Sequence, residues 1–292
     1  MKDALFPAGH FYSPVPDVED LARRREALWP ANPEVAYIDL NDSHHQRIIE
    51  ECLPRYTESF DYPAEGPEDE QLEGFYVNNS QFSNLDCRLL FCLLQEWRPR
   101  RVIEVGGGYS TLLTADVNHR FLGGAIHFTC IEPYPRTFLE RPLDGLTELL
   151  VQRVEEVPLA RFDALGTGDI LFIDSSHVCK TGSDVNYLYF EVFPRLPPGV
   201  HVHVHDVFLP AEYPQEWVIE HNRSWNEQYL VRAMLSHSAR YRVLFGSMYA
   251  ALNFGALIQQ ALALPEGTTM GGGSFWFEVI QARGQVASGS GS

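Results

Sequence analysis

The stretch RVIEVGGGYSTLL, residues 101–113, decides how the chain is read. A short apolar run describes a buried strand, three glycines describe a turn, and STLLTADVNHR continues as a helix. A glycine-rich turn from strand to helix lets backbone N–H groups approach a ligand at the positive end of the helix. A dinucleotide would want a third spaced glycine, but Gly106, Gly107 and Gly108 are followed by Tyr109, Ser110 and Thr111. Glu104 stands directly before the loop. That carboxylate would repel a pyrophosphate and attract an ammonium or sulfonium group.

Outward from this loop the same alternation repeats. LDCRLLFCLLQEW upstream places Leu89, Leu90, Leu93, Leu94 and Trp97 on one helical face. Downstream, AIHFTCIEP reads as a strand, RTFLERPL as helical, TELLVQRV as a third strand and GDILFID as a fourth. GSDVNYLYFEVFPRL is a helix with Ser183 as its cap, stopped by Pro197-Pro198-Gly199, and VHVHVHD is a fifth strand. Strand and helix alternating at this spacing mean parallel βαβ units, hence a Rossmann-like, doubly wound α/β sheet covered on both faces. YRVLFGSMYAAL and SFWFEVIQ read as two further strands joined by a long loop, pairing antiparallel at an edge.

Residues 1–75, rich in proline, charge and aromatics, read as a helical or irregular extension or lid, and YPAEGPEDEQLEGF within them as an exposed acidic loop. Residues 76–283 form the main domain, and 284–292 a flexible tail of linker composition.

The bulk properties narrow the function. With 292 residues, 45% of them apolar, the chain can bury a large core. A net charge of −17 argues against nucleic acid, and Arg23-Arg24-Arg25 lies among Glu19, Asp20 and Glu26 as a solvated helix face. With no long apolar span and no signal-peptide core, the expectation is a soluble, cytoplasmic protein without a membrane partner, acting on a small molecule, with a homo-oligomer allowed. Five cysteines without CxxC spacing read as reduced, mostly buried thiols.

The second strand ends in Glu132, 26 residues past Gly106, where an acid can accept both hydroxyls of a ribose. A glycine loop with an acid before it and a ribose acid after it describes S-adenosylmethionine. On this reading Glu104, Gly106, Gly107, Gly108, Ser110, Thr111, Glu132 and Asp174 bind the cofactor. FIDSSHVCK ends the fourth strand and HVHVHDVF the fifth, so Asp174, His205 and Asp206 should meet above the cofactor. Asp174 and Asp206 are hard donors suited to Mg²⁺, and a His205 ligand would favour a transition metal. His201, His203 and His205 project to one face. Of these, His201 is read as packed, while His44 and His45 are read as surface residues.

The segments EVGGGYST, CIEPYP, FIDSSH and HVHDVFLP resemble class I S-adenosylmethionine-dependent methyltransferases. NSQFSNLD (79–86) and WNEQYL (225–230) are similar to one bacterial branch of that group, the metal-assisted O-methyltransferases of sugars and other natural products. The resemblance spans roughly residues 75–280 and is specific for the cofactor rather than the acceptor. It implies a seven-stranded sheet with one antiparallel strand near its edge. It also implies that Asn79, Phe82 and Asp86 cover the methionine end of the cofactor. Asp174-Ser175-Ser176-His177 fits the branch's D-x-x-H motif, which supplies a metal ligand and the general base, here His177. The aromatic segment 208–229 would wall the acceptor pocket. Three other readings compete: a nicotinamide-dependent oxidoreductase, disfavoured by Glu104 and the missing glycine; a metallohydrolase built on HVHVHD, whose final order is reversed; and a binding module on the same fold.

Overall fold

The computed structural model describes residues 4–68, 72–82, 84–264, 268 and 270–280. The tail 284–292 and residues 69–71 of the acidic loop lie outside them. The chain opens with short helices α1 (Val18–Arg23), α2 (Arg25–Leu28) and α3 (Asp42–Arg47), then a π-helical turn (Ile48–Cys52) and α4 (Leu53–Thr57). Helix α5 (Asn84–Trp97) leads into β1 (Arg101–Val105), α6 (Tyr109–Arg120), β2 (His127–Ile131), β3 (Glu148–Leu150) and β4 (Ile170–Ile173). There follow α7 (Asp184–Tyr187), β5 (His201–Val204), α8 (Gln215–Ile219), α9 (Glu227–His237), β6 (Tyr241–Gly246), α10 (Ser247–Ala261) and β7 (Phe275–Val279).

The seven strands lie in the order β3-β2-β1-β4-β5-β7-β6. The pairs within β3-β2-β1-β4-β5 are parallel, and β7 runs antiparallel to both β5 and β6. This is the expected sheet with one reversed strand next to its edge. Alternating side chains feed two cores. Val102, Phe128, Phe172 and Trp276 pack under α5 and α6, whereas Ile103, Val105, Ile173 and Val204 face Val185, Leu188 and Val231. From β1 the chain winds outward to β3 and then crosses to β4, so the order reverses between β1 and β4. Ligands of open α/β sheets bind at such a switch point, outside the carboxyl ends of the strands.

Three local readings change. YRVLFGSMYAAL is strand only to Gly246; from Ser247 it is helix α10, because MYAALNFGALIQQ carries apolar residues at helical rather than alternating spacing. RTFLERPL forms one 3₁₀ turn, Thr137–Leu139, cut short by Pro142. Helix α5 is buried almost all round rather than on one face, with Cys87, Phe91 and Cys92 as enclosed as Leu89 and Leu93. Its second side is covered by the extension, where Ile49 and Leu53 are fully buried against the same core. Ser183 caps α7 as expected, accepting from the Asn186 N–H. All five cysteines are free, four of them buried.

The extension is tied to the sheet by a histidine that composition had placed at the surface. His45 is fully buried and stacks on Phe245 at 4.7 Å. Its Nε2 accepts from the Gly246 N–H at 2.8 Å, while Nδ1 lies 3.1 Å from the Asn41 carbonyl. Burial pushes its pKa down to about 4. His44 is half-buried, with Nδ1 on the Leu244 carbonyl.

Candidate active site

The glycine loop crosses from β1 over the end of β4. Gly106 has φ +89°, and a Cβ there would sit 1.7 Å from the Asp174 carbonyl oxygen. On Gly107 a Cβ would meet Cys130 Sγ at 2.7 Å and Glu132 Cβ at 3.2 Å. Both positions therefore need glycine, the first for conformation and space, the second for space alone. The Gly107 N–H donates to Glu132 Oε2 at 3.0 Å, and the Tyr134 N–H donates to Oε1 at 2.6 Å. Each carboxylate oxygen thus uses one acceptor site and keeps another for a hydroxyl. A cleft of about 390 Å³ opens beside them, lined by Gly106, Glu132, Val154, Asp174, Ser176 and Lys180 among others.

Glu104 lies beneath the loop, 1% exposed. Ser110 Oγ donates to its Oε1 at 2.6 Å, while Oε2 is buried without a hydrogen-bond partner. Burial pushes the carboxyl up to about 8, so the acid is held largely neutral until a cation or donor reaches it. Ser110 and Thr111 are buried and serve the loop from inside, Thr111 Oγ1 accepting from the Gly108 N–H. Asn79 is likewise occupied, its amide donating to the Tyr76 and Phe82 carbonyls and its oxygen accepting from the N–H groups of Gln81 and Phe82. It shapes the turn that seats Phe82 against Phe172 and His205. Asp86 accepts from Ser247 Oγ and from the N–H groups of Gly273 and Ser274, so it binds α5 to the approach of β7.

Next to this loop, Asp174, His177 and Asp206 converge, one donor atom from each lying within 4.8 Å of the others. His177 Nε2 is 3.3 Å from Asp174 Oδ1 and 3.4 Å from Asp206 Oδ2. The loop after β4 makes this possible by taking a left-handed turn at His177, φ 57°, and Asp206 has φ 56°. Burial opposes charge on the His177 ring, but Asp174, Glu227 and Asp206 outweigh it and hold its pKa well above the usual histidine range. The ligand set read from the sequence contained His205. His177 converges with Asp174 and Asp206, and His205 lies beside them, its Nε2 3.7 Å from Asp206 Oδ1 and its ring against Phe82. Asp206 lies on the loop leaving β5, and its Oδ2 meets His177 on the loop leaving β4. His203 is core, stacked on Phe172 at 3.8 Å with Nε2 on Ser274 Oγ, and His201 lies half-buried against Trp97.

Sequence reasoning missed the partner of His177. Its Nδ1 lies 3.0 Å from Glu227 Oε2, and Glu227 is 1% exposed at the start of α9. A glutamate at a helix N-terminus reads as an ordinary surface acid favoured by the helix dipole, so only the segment's resemblance marked it. Gly273 was also missed. A Cβ there would lie 2.8 Å from the Asp206 backbone, so the approach to β7 rests directly on that acid.

The aromatic segment after β5 does line a cavity, of about 250 Å³, shared with α1 and α2. Trp29, Tyr213, Arg223, Trp225 and Tyr229 face it, and Trp29 Nε1 donates to the Tyr213 carbonyl. The Arg223 guanidinium lies over the rings of Trp217 and Trp225 at 4.2 and 4.7 Å. Trp225 in turn touches the His177 ring at 4.5 Å. Among the described residues, no helix is long and apolar enough to cross a membrane.

Residues 103–207 match a family model described as a methyltransferase domain. An uncharacterized protein of Archaeoglobus fulgidus is 38% identical over 165 residues, covering 55% of this chain and 74% of that protein. Among solved structures, the O-methyltransferase from Bacillus cereus in complex with S-adenosylhomocysteine aligns at 16% identity and TM-score 0.40, over 91% of this chain and all 100% of that one. The S-adenosylhomocysteine-bound methyltransferase of Podospora anserina aligns at 16% identity and TM-score 0.42, over 91% and 97%.

Proposed function

Since the chain belongs to the class I S-adenosylmethionine-dependent methyltransferases, we propose that it methylates a hydroxyl of a small molecule, a sugar or other natural product, with the help of a divalent cation. The observation that carries this reading is the convergence of Asp174, His177 and Asp206 beside the glycine loop. The residues suit the cofactor. Gly106 and Gly107 let the loop pack directly on Asp174 and Glu132 beside the cleft, Glu132 keeps free acceptor sites, and Glu104 holds an unpartnered buried oxygen. When bound, S-adenosylmethionine supplies an electrophilic methyl group on a sulfonium. Asp174 and Asp206 suit a hard cation, which would lower the pKa of an acceptor hydroxyl.

The chain's own residues do the rest. Glu132 fixes the ribose and Glu104 answers the cofactor's positive charge. His177 Nε2 takes the hydroxyl proton. Its raised basicity comes partly from Asp174 and Asp206, and a cation held by those acids would favour the neutral ring a base requires. The acceptor lies against Trp225, with the remainder of the molecule reaching the cavity that Trp29, Tyr213 and Arg223 line. Calorimetric titration with S-adenosylmethionine, with and without Mg²⁺ or Mn²⁺, together with elemental analysis, tests the reading. The cation part would fall if the purified protein bound no divalent metal and methyl transfer ran at full rate in excess chelator. His177→Ala should lower kcat about a hundredfold while leaving cofactor affinity nearly unchanged; turnover within a few-fold of wild type would move the base elsewhere.

A further inference from the structure

We propose that the acceptor carries a carboxylate, and that Arg223 receives it in the aromatic cavity lined by Trp29, Tyr213, Trp225 and Tyr229. The proposal rests on the reading of that cavity as the acceptor site, and it begins from how the guanidinium is held. Its carbon lies 4.2 Å from the centre of the Trp217 ring and 4.7 Å from that of Trp225, two indoles set at 79° to each other. The Arg223 N–H donates to the Trp217 carbonyl at 2.9 Å, which fixes the base of the side chain beside the same indoles. Aromatic faces attract the charge, but they leave the in-plane N–H donors of a guanidinium unused. Among the described residues, those donors meet no carboxylate and no carbonyl. Elsewhere the chain pairs its arginines: Arg55, Arg120, Arg153, Arg161, Arg195 and Arg242 each meet an acid. Acids are at hand for Arg223 as well, in a chain of net charge −17, yet Glu216 lies instead 3.6 Å from His221.

Other donors of the lining are already committed. Trp29 Nε1 donates to the Tyr213 carbonyl, the Tyr229 hydroxyl to Glu212 Oε1, and Asn226 Nδ2 to the Cys179 carbonyl. Glu212, the acid of this cavity, has its Oε1 wrapped by three donors, the Tyr213 N–H, Gln228 Nε2 and the Tyr229 hydroxyl. Its charge still tolerates a singly charged carboxylate better than a doubly charged phosphate. The planar edge of a guanidinium matches a carboxylate in two parallel hydrogen bonds. Because the indoles already hold that edge in place, less side-chain freedom is lost when the anion arrives. The spacing suits a small acceptor. Trp225 lies 4.5 Å from the His177 ring, so the guanidinium is no farther from the imidazole than that span and the 4.7 Å one together. One ring bearing a hydroxyl at one end and a carboxyl at the other bridges it.

The test is isothermal titration of the full chain saturated with S-adenosylhomocysteine and Mg²⁺. The probes are protocatechuate and glucuronate, each set against its own amide, with phenyl phosphate as the rival anion. In wild type at least one acid should bind about tenfold or more tightly than its amide, and phenyl phosphate no tighter than protocatechuate. In Arg223→Gln the advantage of acid over amide should shrink to within about twofold, with amide affinity unchanged. Arg223→Lys, which keeps the charge without the planar fork, should retain part of the advantage. Rising salt gives a second reading on wild type itself: it should weaken the acids and leave the amides unmoved. Acid and amide bound alike by wild type would overturn the proposal, as would an advantage that survives in Arg223→Gln or ignores salt. So would tighter binding of phenyl phosphate, or equal loss of acid and amide in Arg223→Gln, which would make Arg223 a packing residue. Binding is read without methyl transfer. An acid held through Arg223 yet never methylated would therefore count against the acceptor reading and leave the carboxylate site standing, and methylation indifferent to Arg223→Gln would do the reverse.

Discussion

Gly273 lies so close to Asp206 that a single added carbon would fall 2.8 Å from the Asp206 backbone nitrogen, Cα and Oδ1. The turn before β7 is therefore part of the mould that shapes this acid. Gly273→Ala should cost about 1–3 kcal/mol of stability and displace Asp206, weakening divalent-cation binding at least tenfold. Gly271→Ala, where nothing lies within 4 Å, is the matched control and should be close to neutral. Urea denaturation and Mn²⁺ titration of both variants check this; equal behaviour of the two would contradict it.

Glu132→Ala should raise the dissociation constant for S-adenosylmethionine about tenfold or more, because the ribose loses two charge-assisted hydrogen bonds. The loop adds to the effect, since the Gly107 N–H loses its acceptor as well. Glu132→Gln keeps one acceptor oxygen and should fall between the two. Isothermal titration decides it, and an unchanged affinity in the alanine variant would remove the ribose assignment.

Cofactor binding near neutral pH should release a proton from Glu104. Burial holds this carboxyl near 8 against an ordinary 4.5, so in that window the folded, cofactor-free protein keeps a proton that the unfolded chain has lost. Its contribution to stability accordingly declines as pH rises from about 4.5 to 8 and is flat on either side. A cationic ligand lets the acid ionise. Titrations at pH about 7 in two buffers of different ionisation enthalpy should show up to one proton released in wild type and less in Glu104→Gln. An equal dependence of the heat on buffer ionisation enthalpy in both proteins would refute the idea.

His45 makes the opposite contribution. Its pKa is about 4 in the folded chain against 6.5 outside it, so the folded state refuses a proton that the unfolded chain accepts. Its stabilising effect is complete above 6.5 and is lost as pH falls toward 4, by about 2–3 kcal/mol at pH 4.5. In His45→Gln that part of the acid slope should disappear, although the variant starts from lower stability. Denaturation midpoints at pH 7 and 4.5 measure it, and equal slopes would refute it.

The sheet, its reversed strand, the glycine loop and the acids at the ends of β1, β2, β4 and β5 were legible because each is a local pattern. Strand periodicity, a glycine run and a terminal acid occupy neighbouring positions. The grip of Glu227 on His177 and the contact of Gly273 with Asp206 were not legible. They join residues 50 and 67 positions apart, through a loop whose left-handed turn at His177 no residue type announces. His45 misled for the related reason that a polar run looks exposed until a partner strand covers it. His177 entered the converging group unforeseen as a neighbour of both acids, because it meets Asp206 from a different loop, 29 positions earlier in the chain.

The position of β7 has a consequence for how the protein is made. Strand β7 lies between β5 and β6 although it is the last of the seven to be synthesised. Until residues 275–279 leave the ribosome, β5 keeps an open edge, Asp86 lacks the N–H groups of Gly273 and Ser274, and Asp206 lacks the turn that backs it. The glycine loop, Glu132 and Asp174 sit on strands β1 to β4, made early in the chain, while Asp206 waits for the turn before the final strand. The chain therefore completes the backing of Asp206 only with its last strand, so a change within 273–279 reaches a residue synthesised some 70 positions earlier.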